Sequence, residues 1–117
     1  MTKKDDSFFI EHILESIIAV ESFSKDMKKE ELSENRLKQS AIIREIEIIG
    51  EATKNISKTL KDKHDNIKWK EISGTRDKII HHYFVIDFNI IWEIIKNGLP
   101  KLKKQILEIK KDLKLVA

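Results

Sequence analysis

One eleven-residue segment carries most of the reactive side chains of this sequence: Gly74-Thr75-Arg76-Asp77-Lys78-Ile79-Ile80-His81-His82-Tyr83-Phe84. Within eight residues it gathers Arg76, the adjacent pair His81 and His82, and the only tyrosine of the chain, Tyr83. These side chains match what metal-independent cleavage of RNA requires. A histidine titrating near neutral pH can take the 2′-hydroxyl proton or protonate the leaving 5′-oxygen. An arginine can neutralise the charge that grows on the phosphoryl oxygens in the transition state.

Spacing alone does not assemble such a site. On an ideal helix Arg76 and Tyr83 share a face, about 20° off alignment, whereas His81 lies about 140° round from Arg76. Histidines at a helix C-terminus also interact favourably with the helix dipole without any catalytic role. Two arrangements would bring Arg76 and His81 together: a loosening of the helix near His81, or a two-fold dimer whose axis juxtaposes the segments of two copies. The remaining histidines, His12 beside Glu11 and His64 in Lys-Asp-Lys-His-Asp, read as surface residues. There is no phosphate-binding glycine loop, zinc-ligand spacing or Gly-x-Ser-x-Gly elbow, so no cofactor or metal is expected.

The elements that must hold this segment follow from apolar periodicity. A first helix starts near Phe9, with Asp6 or Ser7 as its cap and Ile10, Ile13, Leu14, Ile17, Ile18 and Phe23 as its stripe. A polar stretch from Lys25 to Glu31 closes it. A second helix is expected from Ser33 to about Leu60, roughly 40 Å long at 1.5 Å per residue. Its isoleucines spread over more than one stripe, which predicts neighbours on more than one side, and Gly50 inside it predicts a close helix–helix approach. Asp65 or Asn66 caps a third helix running through Trp69, Ile72, Ile79, Ile80 and Tyr83. Asp87 caps a fourth, Asn97-Gly98 stops it, and Pro100 opens a fifth with Leu102, Ile106, Ile109 and Leu113 inward. The expected architecture is all-α, a single domain over residues 1–117 forming an up-and-down bundle of four to five helices.

Composition agrees with that class. Three glycines and one proline in 117 residues leave too little turn chemistry for an all-β fold. At 40% hydrophobic and 37% charged, with 21 isoleucines, the chain can build a core and is not disordered. Charged residues interrupt every apolar run before the roughly 20 residues a membrane span needs. The absence of cysteine points to a reducing compartment, and the cytoplasm is the expected location. Net charge is −4 over residues 1–53 and +7 over residues 54–117, giving +3 for the whole. The basic half concentrates in Lys54, Lys58, Lys61, Lys63, Lys68 and Lys70, and again from Lys101 to Lys114, a field suited to nucleic acid or to plain solvation. Only Arg36, Arg44 and Arg76 are arginines, and bidentate phosphate recognition favours that residue.

At these residues a resemblance enters. Arg76, four residues, His81, one residue, Tyr83 resembles the Arg-x4-His-x-Tyr motif of the HepT-like toxins in the HEPN superfamily. Ile42 to Ala52 resembles that family's second-helix signature, and Trp69-Lys70-Glu71-Ile72-Ser73-Gly74-Thr75-Arg76 its approach to the motif. Tyr83 to Asp87, Trp92-Glu93-Ile94 and Leu99-Pro100 follow in the family's order. The resemblance implies an HEPN-like fold and a metal-independent ribonuclease toxin, with Arg76 and His81 as catalytic pair in a cleft shared by a homodimer. It implies a nucleotidyltransferase antitoxin as partner and Tyr83 as the tyrosine such antitoxins modify with AMP. Asp77 stands where many relatives have asparagine and is a candidate to restrain Arg76 by an ion pair. His82 falls at a variable position of the motif and ranks below His81. Glu51, after Gly50, is either a residue that orients Arg76 or a histidine, or an ordinary surface carboxylate. Two other classes share these features: a non-catalytic helical module binding RNA or nucleotides, and a scaffold whose role is to be modified by its antitoxin.

Overall fold

A computed structural model gives the backbone of residues 5–81 and 85–116, with side chains over residues 5–80 and 85–114. Its first helix, α1 (Asp6–Phe23), is capped by Asp5, whose carboxylate accepts from the Phe8 backbone N–H at 3.2 Å and the Ser7 hydroxyl at 2.7 Å. Asp6, expected in that role, instead ties down a distant segment. Its two oxygens accept from the Ser57 backbone N–H (2.8 Å) and hydroxyl (2.6 Å). Ile10, Ile13, Leu14 and Ile17 are buried as the stripe predicts; Val20 joins them, while Ile18 and Phe23, expected in the stripe, are exposed.

The long second helix divides into three: α2 (Lys29–Glu34), α3 (Arg36–Lys54) and α4 (Lys58–Lys63). Asn35 caps α3 by accepting from the Lys38 N–H at 3.0 Å, while the Ser33 hydroxyl turns back onto the Glu30 carbonyl. At the other end Asn55 takes the Glu51 carbonyl with its amide, and Ser57 caps α4 through the Leu60 N–H. These side chains offer backbone groups an alternative to the helix ladder, which is why the helix breaks there. α3 is the centre of the bundle. It packs against α1 and α2 and against the segment from Trp69 to Ile79, with Ile42, Ile43, Ile46, Ile49 and Ala52 buried.

The third helix differs most from expectation. It is two short pieces, α5 (Trp69–Ser73) and α6 (Thr75–Ile79), joined at Gly74. Lys68, not Asp65 or Asn66, occupies the α5 cap position, without a side-chain bond. The helix ends at Ile79, and Ile80 turns extended (φ −109°, ψ 114°). β1 (Ile80–His81) then pairs antiparallel with β2 (Val85–Ile86), Ile80 opposite Ile86 and His81 opposite Val85, and the Asp87 N–H bonds the Ile79 carbonyl at 2.8 Å. β-branched residues on both sides favour this pairing over a continued helix. The positions expected to extend the helix to Tyr83 include residues 82–84, which lie outside the described residues.

Asp87 caps α7 (Phe88–Glu93) by accepting from the Ile90 N–H, as expected. Asn97-Gly98 does not stop the helix. A π turn (Ile94–Gly98) carries α7 directly into α8 (Leu99–Val116), with the Leu99 N–H bonding the Ile94 carbonyl. Pro100 has no N–H, and its ring crowds the carbonyl four residues earlier, so a locally wider turn accommodates it. α8 returns along α1, with Lys103 on Glu21 (2.9 Å) and Lys110 on Glu11 (2.6 Å) fixing an antiparallel pair. Ile13, Ile17, Ile42, Ile79, Ile91, Ile106 and Ile109 have essentially no exposed surface and form the centre of one core. Burying each isoleucine contributes about 1.5–3 kcal/mol. The architecture is an all-α bundle, with the two-residue ladder its only β structure among the described residues. No described helix is long and apolar enough to cross a membrane.

Candidate active site

Arg76 occupies the second position of α6, and what lies under it depends on how near α3 comes. A Cβ placed on Gly50 would stand 3.4 Å from the Ser73 carbonyl oxygen and 3.5 Å from that of Ile72. The glycine is the close approach predicted for it, between the middle of α3 and the end of α5. One turn before Gly50, Glu47 reaches across and places Oε2 3.5 Å from Arg76 Nε. Arg76 keeps 54% of its side chain exposed and Glu47 33%, so the pair sits at the rim in a strongly solvated setting. Such a pair contributes about 1 kcal/mol or less to stability. Its consequence is orientation. A carboxylate on the Nε side leaves the edge formed by the two Nη groups for a bidentate anion.

The ion pair forms one wall of a polar pocket of about 380 Å³, also lined by Gly50, Glu51, Lys54 and Asp77. Three carboxylates and two cations therefore meet there. Glu51 reaches this pocket, yet its ion pair is with Lys54 one turn on, at 3.2 Å. Asp77 lines the pocket as well, and among the described residues the ion pair of Arg76 is with Glu47 rather than with its neighbour. Glu47 is the residue that reading the sequence missed. Glu45, Glu47 and Glu51 all lie on α3, and the clue was position: Glu47 shares a helical face with Glu51 and precedes the close-approach glycine by one turn.

The backbone removes the helical obstacle between Arg76 and His81. Because α6 ends three residues beyond Arg76, the 140° separation of an ideal helix does not apply to His81, which sits in β1. The side chain of His81, and His82 and Tyr83 altogether, lie outside the described residues. Of the other histidines, His12 is exposed as expected, 3.9 Å from Glu15. His64 is not a plain surface residue: only 16% of its side chain is exposed. Its Nε2 is buried without a hydrogen bond among the described residues, 3.8 Å from Asp112 Oδ2, and its carbonyl accepts from the Trp69 indole at 3.1 Å.

Comparison with known proteins adds sequence relatives to this geometry. The ribonuclease HepT-like family matches residues 13–109. A Methanocaldococcus jannaschii protein named "Putative RNase" is 42% identical over 113 residues, which cover 97% of this chain and 97% of that protein. A Thermococcus cleftensis protein named "Probable ribonuclease HepT" is 37% identical over 109 residues, covering 93% of this chain and 99% of that protein. A second Methanocaldococcus jannaschii protein, named "Gamma-glutamylcyclotransferase and putative RNase", is 41% identical over 111 residues. That match takes in 95% of this chain, which spans only 50% of the longer relative. No solved structure matches the chain.

Proposed function

The chain belongs to the HepT-like ribonuclease family, and on that premise we propose that it is a metal-independent endoribonuclease acting as the toxin of a toxin–antitoxin pair. Arg76 and His81 are its catalytic residues. The observation that supports this reading is the presentation of Arg76: half exposed on a short helix beside a polar pocket, with Glu47 on its Nε side. In the reaction His81 accepts the 2′-hydroxyl proton, and the 2′-oxygen attacks the adjacent phosphorus. The bond to the 5′-oxygen breaks, a 2′,3′-cyclic phosphate forms, and the departing oxygen takes up a proton. Arg76 neutralises the charge that develops on the non-bridging oxygens. Two copies of the chain bring their motifs together across a two-fold axis, so the cleft is composite.

The partner in this reading is a nucleotidyltransferase antitoxin that transfers AMP from ATP to the Tyr83 hydroxyl, releasing pyrophosphate. An added nucleotide brings bulk and negative charge close to Arg76, which opposes entry of an RNA phosphate. The test is cleavage of single-stranded RNA in the presence of a chelator, by wild type and by Arg76→Ala, Arg76→Lys and His81→Ala. Wild type should cut without metal, and each variant should lose about 100-fold or more, lysine included because it cannot form the bidentate contact. Variants as active as wild type would overturn the assignment.

A further inference from the structure

The two basic stretches of the sequence meet at a second pocket. Lys68 from the first and Lys101 from the second both stand at a cavity of about 310 Å³, on a different face of α5 and α6 from the Arg76 pocket. Its floor is wholly aliphatic, built from Ile46 and Ile49 of α3, Ile72 of α5, Ile94 of the π turn, and Leu99 and Leu102 of α8. Asn66, Gln105 and Glu71 also line the cavity. Neither lysine belongs to an ion pair among the described residues.

Among the described residues, neither a positive φ nor a close contact requires glycine at Gly98, on the wall of this cavity. Its φ is not positive, and an added Cβ would find nothing nearer than the Ile94 Cβ at 3.9 Å. Glycine inside a helical run is costly relative to alanine, so its presence where packing does not demand it points to space that is used. It closes the π turn, a rare irregularity that recurs at functional sites.

We infer that this cavity is a subsite for one nucleotide of an RNA strand. The base lies on the aliphatic floor, Asn66, Gln105 and Glu71 read its edges, and Lys68 and Lys101 hold the flanking phosphates. The chemistry selects this occupant. A wholly apolar ligand would leave two lysines and two amides without partners, and a bare anion would leave the floor uncovered. A splayed-out base with its phosphates satisfies both, and its size suits the lower end of small-ligand pockets. Thr75 lines the cavity, and Arg76, the next residue on α6, lies about 100° round that helix, so a strand held at Arg76 reaches the cavity by crossing α6. The inference rests on the ribonuclease reading and assigns a place where base preference at one position is set.

The experiment maps cleavage positions on a randomised single-stranded RNA pool. It compares wild type, Gly98→Leu, the Asn66→Ala/Gln105→Ala pair and the Lys68→Gln/Lys101→Gln pair, each checked for an unchanged melting profile. Wild type should show a base preference at a fixed distance from the cut. Gly98→Leu and the amide pair should reduce that preference about 10-fold. The lysine pair should raise KM uniformly across sequences and lower the salt slope of binding by about 2. Unchanged preference and KM in all three, with wild type active and Arg76→Ala inactive, would overturn the subsite and leave the ribonuclease reading intact. If wild type itself fails to cleave, that reading falls. The subsite is then decided by anisotropy of a labelled RNA oligomer on Arg76→Ala protein, where equal affinity with and without Gly98→Leu and the lysine substitutions overturns it.

Discussion

Glu47 Oε2 stands 3.5 Å from Arg76 Nε, a contact across 29 residues of sequence that exists because Gly50 admits the end of α5 onto α3. The pair is too exposed to matter much for stability, so its effect should appear in catalysis. Glu47→Ala should lower kcat for RNA cleavage about 10-fold with little change in KM, because a misdirected guanidinium is the whole loss. Glu47→Gln keeps an acceptor facing Nε and should recover most of the rate. The melting temperature of both should stay close to wild type. Steady-state kinetics on one defined RNA separates these outcomes, and an alanine variant with unchanged kcat would remove Glu47 from the site.

Tyr83 tests the partner independently of the chemistry. Tyr83→Phe should remain toxic on expression, while co-expression of the antitoxin should no longer silence it. Intact-mass measurement after co-expression should show AMP increments on wild type and none on the variant. An unmodified wild-type mass together with full silencing would count against modification and in favour of simple occlusion.

Gly50 tests the packing that brings α3 under α6. Alanine brings a Cβ to the edge of ordinary contact with two carbonyl oxygens at 3.4 and 3.5 Å. It also improves helix propensity, so Gly50→Ala should change stability by less than about 1 kcal/mol. Gly50→Leu must push α5 outward and should cost about 1–3 kcal/mol. Because α6 moves with α5, the leucine variant should also lose RNA cleavage at temperatures where it is still folded. Thermal unfolding with activity at 25 °C checks both halves.

Acid should act on the first cap. The Ser7 hydroxyl and, after it, the Phe8 N–H hold the Asp5 carboxyl below its usual value of 3.8. A carboxylate with a depressed folded pKa contributes stability above its unfolded pKa and loses it as pH falls through the folded value. Asp5→Ala should therefore melt below wild type at neutral pH, and the gap should close as pH drops below about 4. Equal melting temperatures at neutral pH would show that the cap contributes nothing.

Much of the fold is local and could be read directly. The Ile10–Ile17 part of the α1 stripe, the α8 stripe and the Asp87 cap of α7 depend on residues three or four apart, and these appear where periodicity places them. The segment around Arg76 stands out by residue types alone. Errors arose where local signals competed. Asp6 is a good cap, but Ser57, 51 residues away, takes both its oxygens. Ser33 and Asn35 are both acceptable starts for α3, and Asn35 takes the role by accepting from the Lys38 N–H while the Ser33 hydroxyl turns to the Glu30 carbonyl. Asn97-Gly98 resembles a helix stop, yet Pro100 can be accommodated by a π turn when the surrounding helices keep the chain in line.

The sequence by itself determined the class, an all-α chain with its reactive residues in one segment, because helical periodicity and residue chemistry are properties of neighbours. Tertiary structure decided the rest. It ended α6 at Ile79, since an extended Ile80 is stable only with Ile86 opposite. It chose Glu47 among three similar glutamates, since only the approach at Gly50 puts one of them under Arg76. And it brought Lys68 and Lys101 to one rim, because the residue before α5 and the start of α8 border the same cavity beside Ile46 and Ile49 of α3. Each is a contact between distant parts of the chain, whose free energy depends on the packed bundle and has no signature in local spacing.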